Sequence, residues 1–324
     1  MRTPVVFIIF KRPETTARVF AEIATARPSK LLIVADGPRP DKPGEAEQCA
    51  LTRSIVQRVD WECDVLTNFS DVNLGCGHRP ATGISWAFEQ VEEAIILEDD
   101  LVPHPTFFRF CEELLEKYWN DERVMHIGGT NDLQLDRRPL SYIFSCHNIC
   151  AGWATWRRAW KYFDFYVPSW PQLRHSTWLA DTLEDAQGVA HWQKLFDQAY
   201  TLGDKADFWD YQWTFACWAQ HGLSICPTVN LVTNIGFGPG ATHTLFPKSQ
   251  GGFLPMRAMD FPLQHPPNMI PDGEFDRALT NLIVGPKRSA ARRVRRFASR
   301  TLRYARRKGL ALRRAAVRCT RTSS

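Results

Sequence analysis

AIILEDDLVPHPTFF, residues 94–108, decides what kind of fold to expect. Four apolar residues, Ala94 to Leu97, run straight into Glu98, Asp99 and Asp100, and Pro105 stands where a helix can begin. A short unbroken apolar run is the pattern of a strand covered on both faces. Proline suits a first helical turn, and Phe107, Phe108, Cys111, Leu114 and Leu115 share one face of a helix running to about residue 119. The same alternation extends backwards. VVFIIF (5–10), LLIVAD (31–36) and CDVLTNF (63–69) read as three earlier strands. Helices are expected from Pro13 onward, over about 44–59 and over 84–93, with 73–77 as a loop. Strand and helix in turn predict an α/β fold, a mostly parallel sheet with helices on both faces. Ligands of such sheets bind beyond the carboxyl ends of the strands. Arg12, Asp36 and the run Glu98 to Asp100 all fall at those ends.

Downstream, VMHIGG (124–129) reads as another strand, helices are expected at about 189–202 and 210–221, and short strands follow up to Val232. Residues 150–222 hold nine of the 12 tryptophans. Residues 246–270 are proline-rich and read as an ordered wrap. The length of 324 residues allows two domains at ~150 residues each, or one larger domain with additions. The division expected is 1–245 as the main domain, its halves meeting near 130, then 246–285 as an extension and 286–324 as a tail.

Charge separates that tail from the rest. Residues 286–324 carry 15 basic and no acidic residues, whereas 1–285 carry 25 basic and 35 acidic ones. Val294, Phe297, Ala298, Thr301, Leu302 and Ala305 lie on one face at helical spacing. A cationic amphipathic helix suits an anionic membrane surface, where each basic residue contributes about 1 kcal/mol. Nucleic acid is not expected as the partner, because no zinc finger, helix-turn-helix or aromatic platform accompanies the tail. A content of 44% hydrophobic residues excludes a disordered chain. The first 20 residues lack the order of a secretory signal, and no window approaches the ~20 apolar residues of a membrane span. Nine scattered cysteines without a CxxC read as buried reduced thiols, so a cytoplasmic, membrane-peripheral protein is expected.

Three features can carry chemistry. Adjacent carboxylates repel one another, and burying them together pushes protons onto them. A divalent cation removes the conflict, and Mn²⁺ or Mg²⁺ takes such oxygens with a substrate diphosphate completing the shell. The plainer reading of Glu98-Asp99-Asp100 is an acidic turn before a helix. In DKADFWDYQW, Asp210 lies between Trp209 and Tyr211, which suits a general base acting on a sugar hydroxyl; an N-cap is the plainer alternative. Beyond Asn234, Gly236, Gly238 and Gly240 allow close backbone approach to a ligand. His243 is a candidate metal ligand or phosphate contact, or simply a surface histidine.

At these residues the sequence resembles nucleotide-sugar-dependent glycosyltransferases of the GT-A fold, of the N-acetylglucosaminyltransferase I type and its bacterial relatives. The likeness runs from about Pro4 to Thr244. It implies that Arg12 (FIIFKRPE) meets the diphosphate region and that Asp36 (LLIVADG) contacts the nucleoside. Trp86-Ala87-Phe88-Glu89-Gln90-Val91 matches the helix before the metal motif, and Glu98-Asp99-Asp100-Leu101 followed by Pro105-Thr106-Phe107-Phe108 matches the motif itself. The resemblance makes Asp100 the metal ligand, with Glu98 and Asp99 facing sugar and ribose. It further implies a Gly152-Trp153 element at the donor and Trp209-Asp210 as the source of the base. The family's Trp-Asp-Asp-Trp here reads Trp209-Asp210-Tyr211-Gln212-Trp213, so the base is Asp210 or another carboxylate. Where the family has a histidine, this chain has Thr82-Gly83-Ile84-Ser85. The function implied is transfer of a sugar from a nucleotide-diphosphate donor to a glycan or lipid-linked acceptor, with inversion. A nucleotidyltransferase fits less well, since FKRPET lacks a glycine-rich loop, and a non-catalytic carbohydrate- or membrane-binding protein is the rival from another class.

Overall fold

The computed structural model describes residues 1–135, 137–183, 185–237 and 254–285. His243, the glycines after Phe237 and the basic tail lie outside the described residues. Met1–Val284 form one compact unit.

Strand β1 (Val5–Ile9) is the centre of the sheet's first half, and all five of its residues are buried. Its side chains divide by the two-residue period of a strand. Val5, Phe7 and Ile9 enter one core with Val19 and Ile23, while Val6 and Ile8 enter a second with Ile84 and Phe88. Helix α1 (Pro13–Ala26) supplies the first pair, and the sheet is therefore covered on both sides. On one flank β1 pairs in parallel with β2 (Lys30–Ala35), and β2 with β3 (Asp64–Phe69); α2 (Glu45–Val56) connects these two. Helix α3 (Gly75–Gln90) crosses back, and β4 (Glu93–Glu98) pairs in parallel on the other flank of β1. The register sets Ile8 beside Glu98 and Ile9 beside Ala35, so Arg12, Asp36 and Glu98 share one edge.

After β5 (Leu101–Pro103), helix α4 (Pro105–Lys117) buries Phe107, Phe108, Phe110, Cys111, Leu114 and Leu115. Each such side chain contributes about 1.5–3 kcal/mol on burial. Strand β6 (Val124–Gly128) and the edge strand β7 (Tyr142–Ser145) follow. Strand β8 (Trp153–Trp156) runs antiparallel between β4 and β6, with Ala154 and Trp156 in the first core and Trp153 in the second. Three short helices, α5 (Arg157–Trp160), α6 (Trp170–Leu173) and α7 (Trp178–Thr182), lead to α8 (Ala186–Leu202) and α9 (Asp210–Ala219). Around them Trp170, Trp192, Phe196, Phe215 and Trp218 form a third core. Strand β9 (Leu223–Pro227) completes an eight-stranded sheet of order β3-β2-β1-β4-β8-β6-β9-β7, and β10 (Val232–Asn234) pairs with β5. Six of the eight strands point one way, with β8 and β7 reversed. The expected α/β architecture, a mostly parallel Rossmann-like sheet with helices on both faces, is present.

Three local expectations change. Residues 75–77, read as loop, are the first turn of α3, because that turn is capped from a distant strand and carries no local cap signal. The helix also ends at Gln90, leaving Glu93 to open β4. In the extension, beyond the proline-rich stretch, residues after 272 form α10 (Gly273–Val284), whose Phe275 and Leu279 pack on Ile143 of β7 and Cys226 of β9.

One buried acid reports on this packing. Glu93 Oε2 has no hydrogen-bond partner among the described residues. Burial first, then the carboxylates of Glu112 and Glu116, push its pKa up from 4.5 to about 7. The folded chain then holds a proton that the unfolded chain releases, so stability falls as pH rises from about 4.5 to 7. Glu93→Gln removes this dependence. In urea unfolding at pH 8 the variant should be more stable than wild type by on the order of 1–3 kcal/mol, with the difference gone at pH 4.

Candidate active site

Arg12 stands just before α1, where Pro13 opens the helix. Its guanidinium forks across two neighbouring carboxylates. Nη2 pairs with Asp99 Oδ1, and Nη1 donates to Asp100 Oδ2 at 2.9 Å. Asp99 is only 2% exposed, and its other oxygen accepts the Phe10 amide at 3.1 Å from the end of β1. Asp99 thus ties β1, α1 and β4 together. Burial pushes the Asp99 pKa up to about 6, Arg12 pulling against it and Asp100 adding to it. Glu98 is half-buried, and burial, then Asp100 and Asp99, lift it to about 8. Burial disfavours the Arg12 charge, yet Asp99, Asp100 and Glu98 together raise its pKa well above normal. Three acids therefore face one guanidinium, and negative charge is in excess.

Asp100 is covered by a second chain segment. Its carbonyl accepts the Ile235 amide at 2.8 Å, next to the β5–β10 ribbon. A Cβ on Gly236 would lie 1.9 Å from Asp100 Oδ2 and 2.9 Å from Arg12 Nη1. Only glycine lets this backbone lie on the Arg12–Asp100 pair. The close approach read from the glycines is made, at Gly236, to the protein's own charged pair.

Asp36 is 5% exposed, and its oxygens are occupied within the chain. Oδ1 accepts the amides of Gly37 at 2.9 Å and Leu74 at 2.8 Å; Oδ2 accepts Gly75 N and Asn73 Nδ2, both at 3.0 Å. A carboxylate has about four acceptor positions, and all four are filled. In the structure Asp36 is the cap of α3, with burial raising its pKa against those amides. The start of α3 in turn meets the segment before α9. Cys76 Sγ lies 2.9 Å from Asp207 O, and a Cβ on Gly77 would lie 2.3 Å from Ala206 O.

Asp210 is the first residue of α9 and half-buried. Its charge is one of those that raise Glu98, and after burial it is the next cause, ahead of Glu98, that raises the half-buried Cys150 thiol. Trp153, expected at the donor, is 1% exposed. His126 stacks near one ring face at 5.0 Å and Trp209 at 5.8 Å, so Trp153 is taken up by packing and presents no open face. Arg12 is joined to Asp99 and Asp100 by contact, Asp210 reaches Glu98 only through its charge, and Asp36 and Trp153 stand in supporting positions.

Two features escaped the sequence reading. His126, inside β6, accepts from Trp213 Nε1 at 3.2 Å, and its Nε2 is 3.2 Å from Ile149 O; burial lowers its pKa to about 3, so it is a neutral strut. A histidine inside an apolar strand was its only signal. Glu45, 5% exposed, gathers Lys11 at 2.5 Å and Arg39 at 2.6 Å beside Phe10. Nothing local in the sequence marks that junction.

Removing one member of a buried pair leaves the other charged and unpaired, which costs about 3–5 kcal/mol. Arg12→Ala should therefore lower stability in urea unfolding by about 3 kcal/mol. Adding Asp99→Asn should restore most of the loss. An Arg12→Ala protein as stable as wild type would show that the pair does not hold this edge together.

No family model and no curated protein matches the chain. Among solved structures, residues 1–349 of TarS from S. aureus match with a TM-score of 0.36 and 12% identity, over 52% of this chain and 50% of that one. The chain thus spans about half the length of that fragment. A UDP-glucose pyrophosphorylase complexed with UDP-glucose matches with a TM-score of 0.32 and 10% identity, over 50% of this chain and 79% of that one.

Proposed function

We propose that the protein is a metal-dependent glycosyltransferase that moves a sugar from a nucleotide-diphosphate donor to a glycan or lipid-linked glycan acceptor. One observation carries the reading: an excess of carboxylate at Glu98, Asp99 and Asp100 stands at the carboxyl edge of the sheet, and the charge of Asp210 acts on Glu98; the reaction basin is proposed to lie between them. The donor set fits Mn²⁺ or Mg²⁺, since Glu98 and Asp100 offer hard oxygen ligands and a dication would relieve the charge that lifts Glu98. Bound there, the cation neutralises a diphosphate leaving group. Asp100 would hold it, with Glu98 beside it. Arg12 keeps Asp99 ionised and adds positive charge where a diphosphate would sit. Asp36 and Trp153 act indirectly in this proposal, through α3 and through the basin wall.

Asp210 is the proposed general base for the acceptor hydroxyl. A single displacement with that base opposite the leaving group inverts the anomeric centre. The proposed setting is surface polysaccharide or glycolipid synthesis at the inner face of a membrane, with the basic tail as the contact. Among the described residues no helix is long and apolar enough to cross a membrane. His243 remains a proposed additional ligand or phosphate contact.

One observation favours the rival, a non-catalytic binding protein: Arg12 already supplies a counter-charge to Asp99 and Asp100. Thermal unfolding with a panel of nucleotide sugars, with and without Mn²⁺, separates the two. A ligand present at about 100 Kd stabilises the native state by about 2.7 kcal/mol. The transferase reading expects such a shift for one donor class, dependent on Mn²⁺ and lost in Asp100→Ala. Asp210→Asn should keep the shift and lose transfer by about 10²–10⁴-fold. Donor binding that ignores both Mn²⁺ and Asp100, with no transfer or hydrolysis, would establish the rival.

A further inference from the structure

Far along the chain from the acids of β4, a second group of metal-type ligands converges. Cys146 and His147 directly follow the edge strand β7, and Asp276 lies in the first turn of α10. One ligand atom from each lies within 4.8 Å of the other two, and no other such trio occurs among the described residues. The three come from segments 130 residues apart in sequence, so chain proximity does not explain the convergence.

Their surroundings are already arranged. Asp276 Oδ2 accepts the Cys146 amide at 3.1 Å, and its Oδ1 accepts Ser145 Oγ. Phe144 O accepts the Asp272 amide at 2.8 Å, which fastens the start of α10 to β7. His147 is 2% exposed, and its Nε2 lies 2.9 Å from Thr280 Oγ1, one helical turn beyond Asp276. When Nε2 carries the proton and donates to Thr280, Nδ1 is left with the lone pair. An outer hydrogen bond of this kind fixes the ring of a metal-bound histidine. Burial keeps this imidazole neutral, which is the ligating form. As ligands, the Cys146 thiolate and the Asp276 carboxylate would supply the two negative charges that balance a dication.

We propose that Cys146, His147 and Asp276 form a binding site for a borderline-soft divalent cation, Zn²⁺ by ligand type. Sulfur, nitrogen and oxygen from three side chains suit tetrahedral Zn²⁺, with water in the fourth position. Cys146 and Asp276 are half-buried, which leaves a solvent side for that water. Binding releases one proton, from the Cys146 thiol to solvent. The thiolate sets this site apart from the oxygen-only acids of β4, because Mg²⁺ and Mn²⁺ bind thiolate poorly.

Occupancy would pin α10 to the edge strand, and its influence would not stop there. The Cys146 carbonyl accepts Trp218 Nε1 at 2.6 Å from α9, the helix that Asp210 opens. Cys150, four residues beyond Cys146, lies in the field of Asp210 and Glu98. The ion would thus be a staple for one wall of the basin. Its existence does not depend on the transferase reading.

The test uses the full chain, stripped with a chelator and titrated with Co²⁺ in excess Mg²⁺, which occupies oxygen-only sites. One equivalent of Co²⁺ should give a thiolate-to-cobalt charge-transfer band with tetrahedral d–d bands, and Zn²⁺ should displace it. Cys146→Ser should abolish the charge-transfer band. Thr280→Val, which keeps all three ligands, should weaken Co²⁺ binding about 10–100-fold. Asp276→Asn should weaken it as well, and it covers the case in which Cys146→Ser does not fold. Wild-type protein without the band, a band that survives Cys146→Ser, or Co²⁺ affinity unchanged in both Thr280→Val and Asp276→Asn would each overturn the assignment.

Discussion

Three consecutive carboxylates at the end of a buried strand are tolerable only because a guanidinium lies across two of them. Arg12 reaches Asp99 and Asp100 from the turn between β1 and α1, and Asp99 reaches back to the Phe10 amide. This junction joins the central strand, the first helix and the acidic loop. Charge at this junction is not fully cancelled. What is left over is the charge that a cation and an accompanying diphosphate would answer in the proposed function.

The molecule also separates two ligand chemistries. The acids of β4 offer oxygen alone, whereas the pocket at β7 and α10 offers sulfur, nitrogen and oxygen. Were both to hold cations as proposed, ligand softness alone would keep those cations apart. In the tryptophan-rich region Trp153 and Trp213 contact His126, and Trp209 packs on Trp153. The bulk of this region fixes α9, and through α9 it fixes Asp210.

The strands at the sheet's centre were legible because burial on both faces leaves an unbroken apolar run. β1, β2 and β4 are of this kind, and the acids after β4 were legible with them. Partners across long sequence distances were not. Arg12 meets acids 87 and 88 residues away, and nothing near either end announces the pairing. Asp36 was found by position, but its capping of α3 depends on amides 38 and 39 residues on. The resemblance put Trp153 at the donor, and sequence could not correct this because a tryptophan's free face and its packed face read alike. Strands β7 and β8 were missed, being four residues each and set among aromatic or turn residues. So was α10, which follows a run of prolines.

The cap on α3 bears on how the chain reaches this structure. A helix begins only when its first turn is fixed, and that step is unfavourable unless something satisfies the leading amides. For α3 that something is the carboxylate at the end of β2, and Pro80 within the helix removes a further donor. The 75–90 segment therefore has little reason to become helical before β2 has joined the sheet. Loop closure between residues 36 and 74 has to come first, and its entropy is recovered only when strand and helix settle together. The first half of the sheet is thus built to assemble as one cooperative block, and a fragment cut between Asp36 and Asn73 should yield two pieces that are each incomplete.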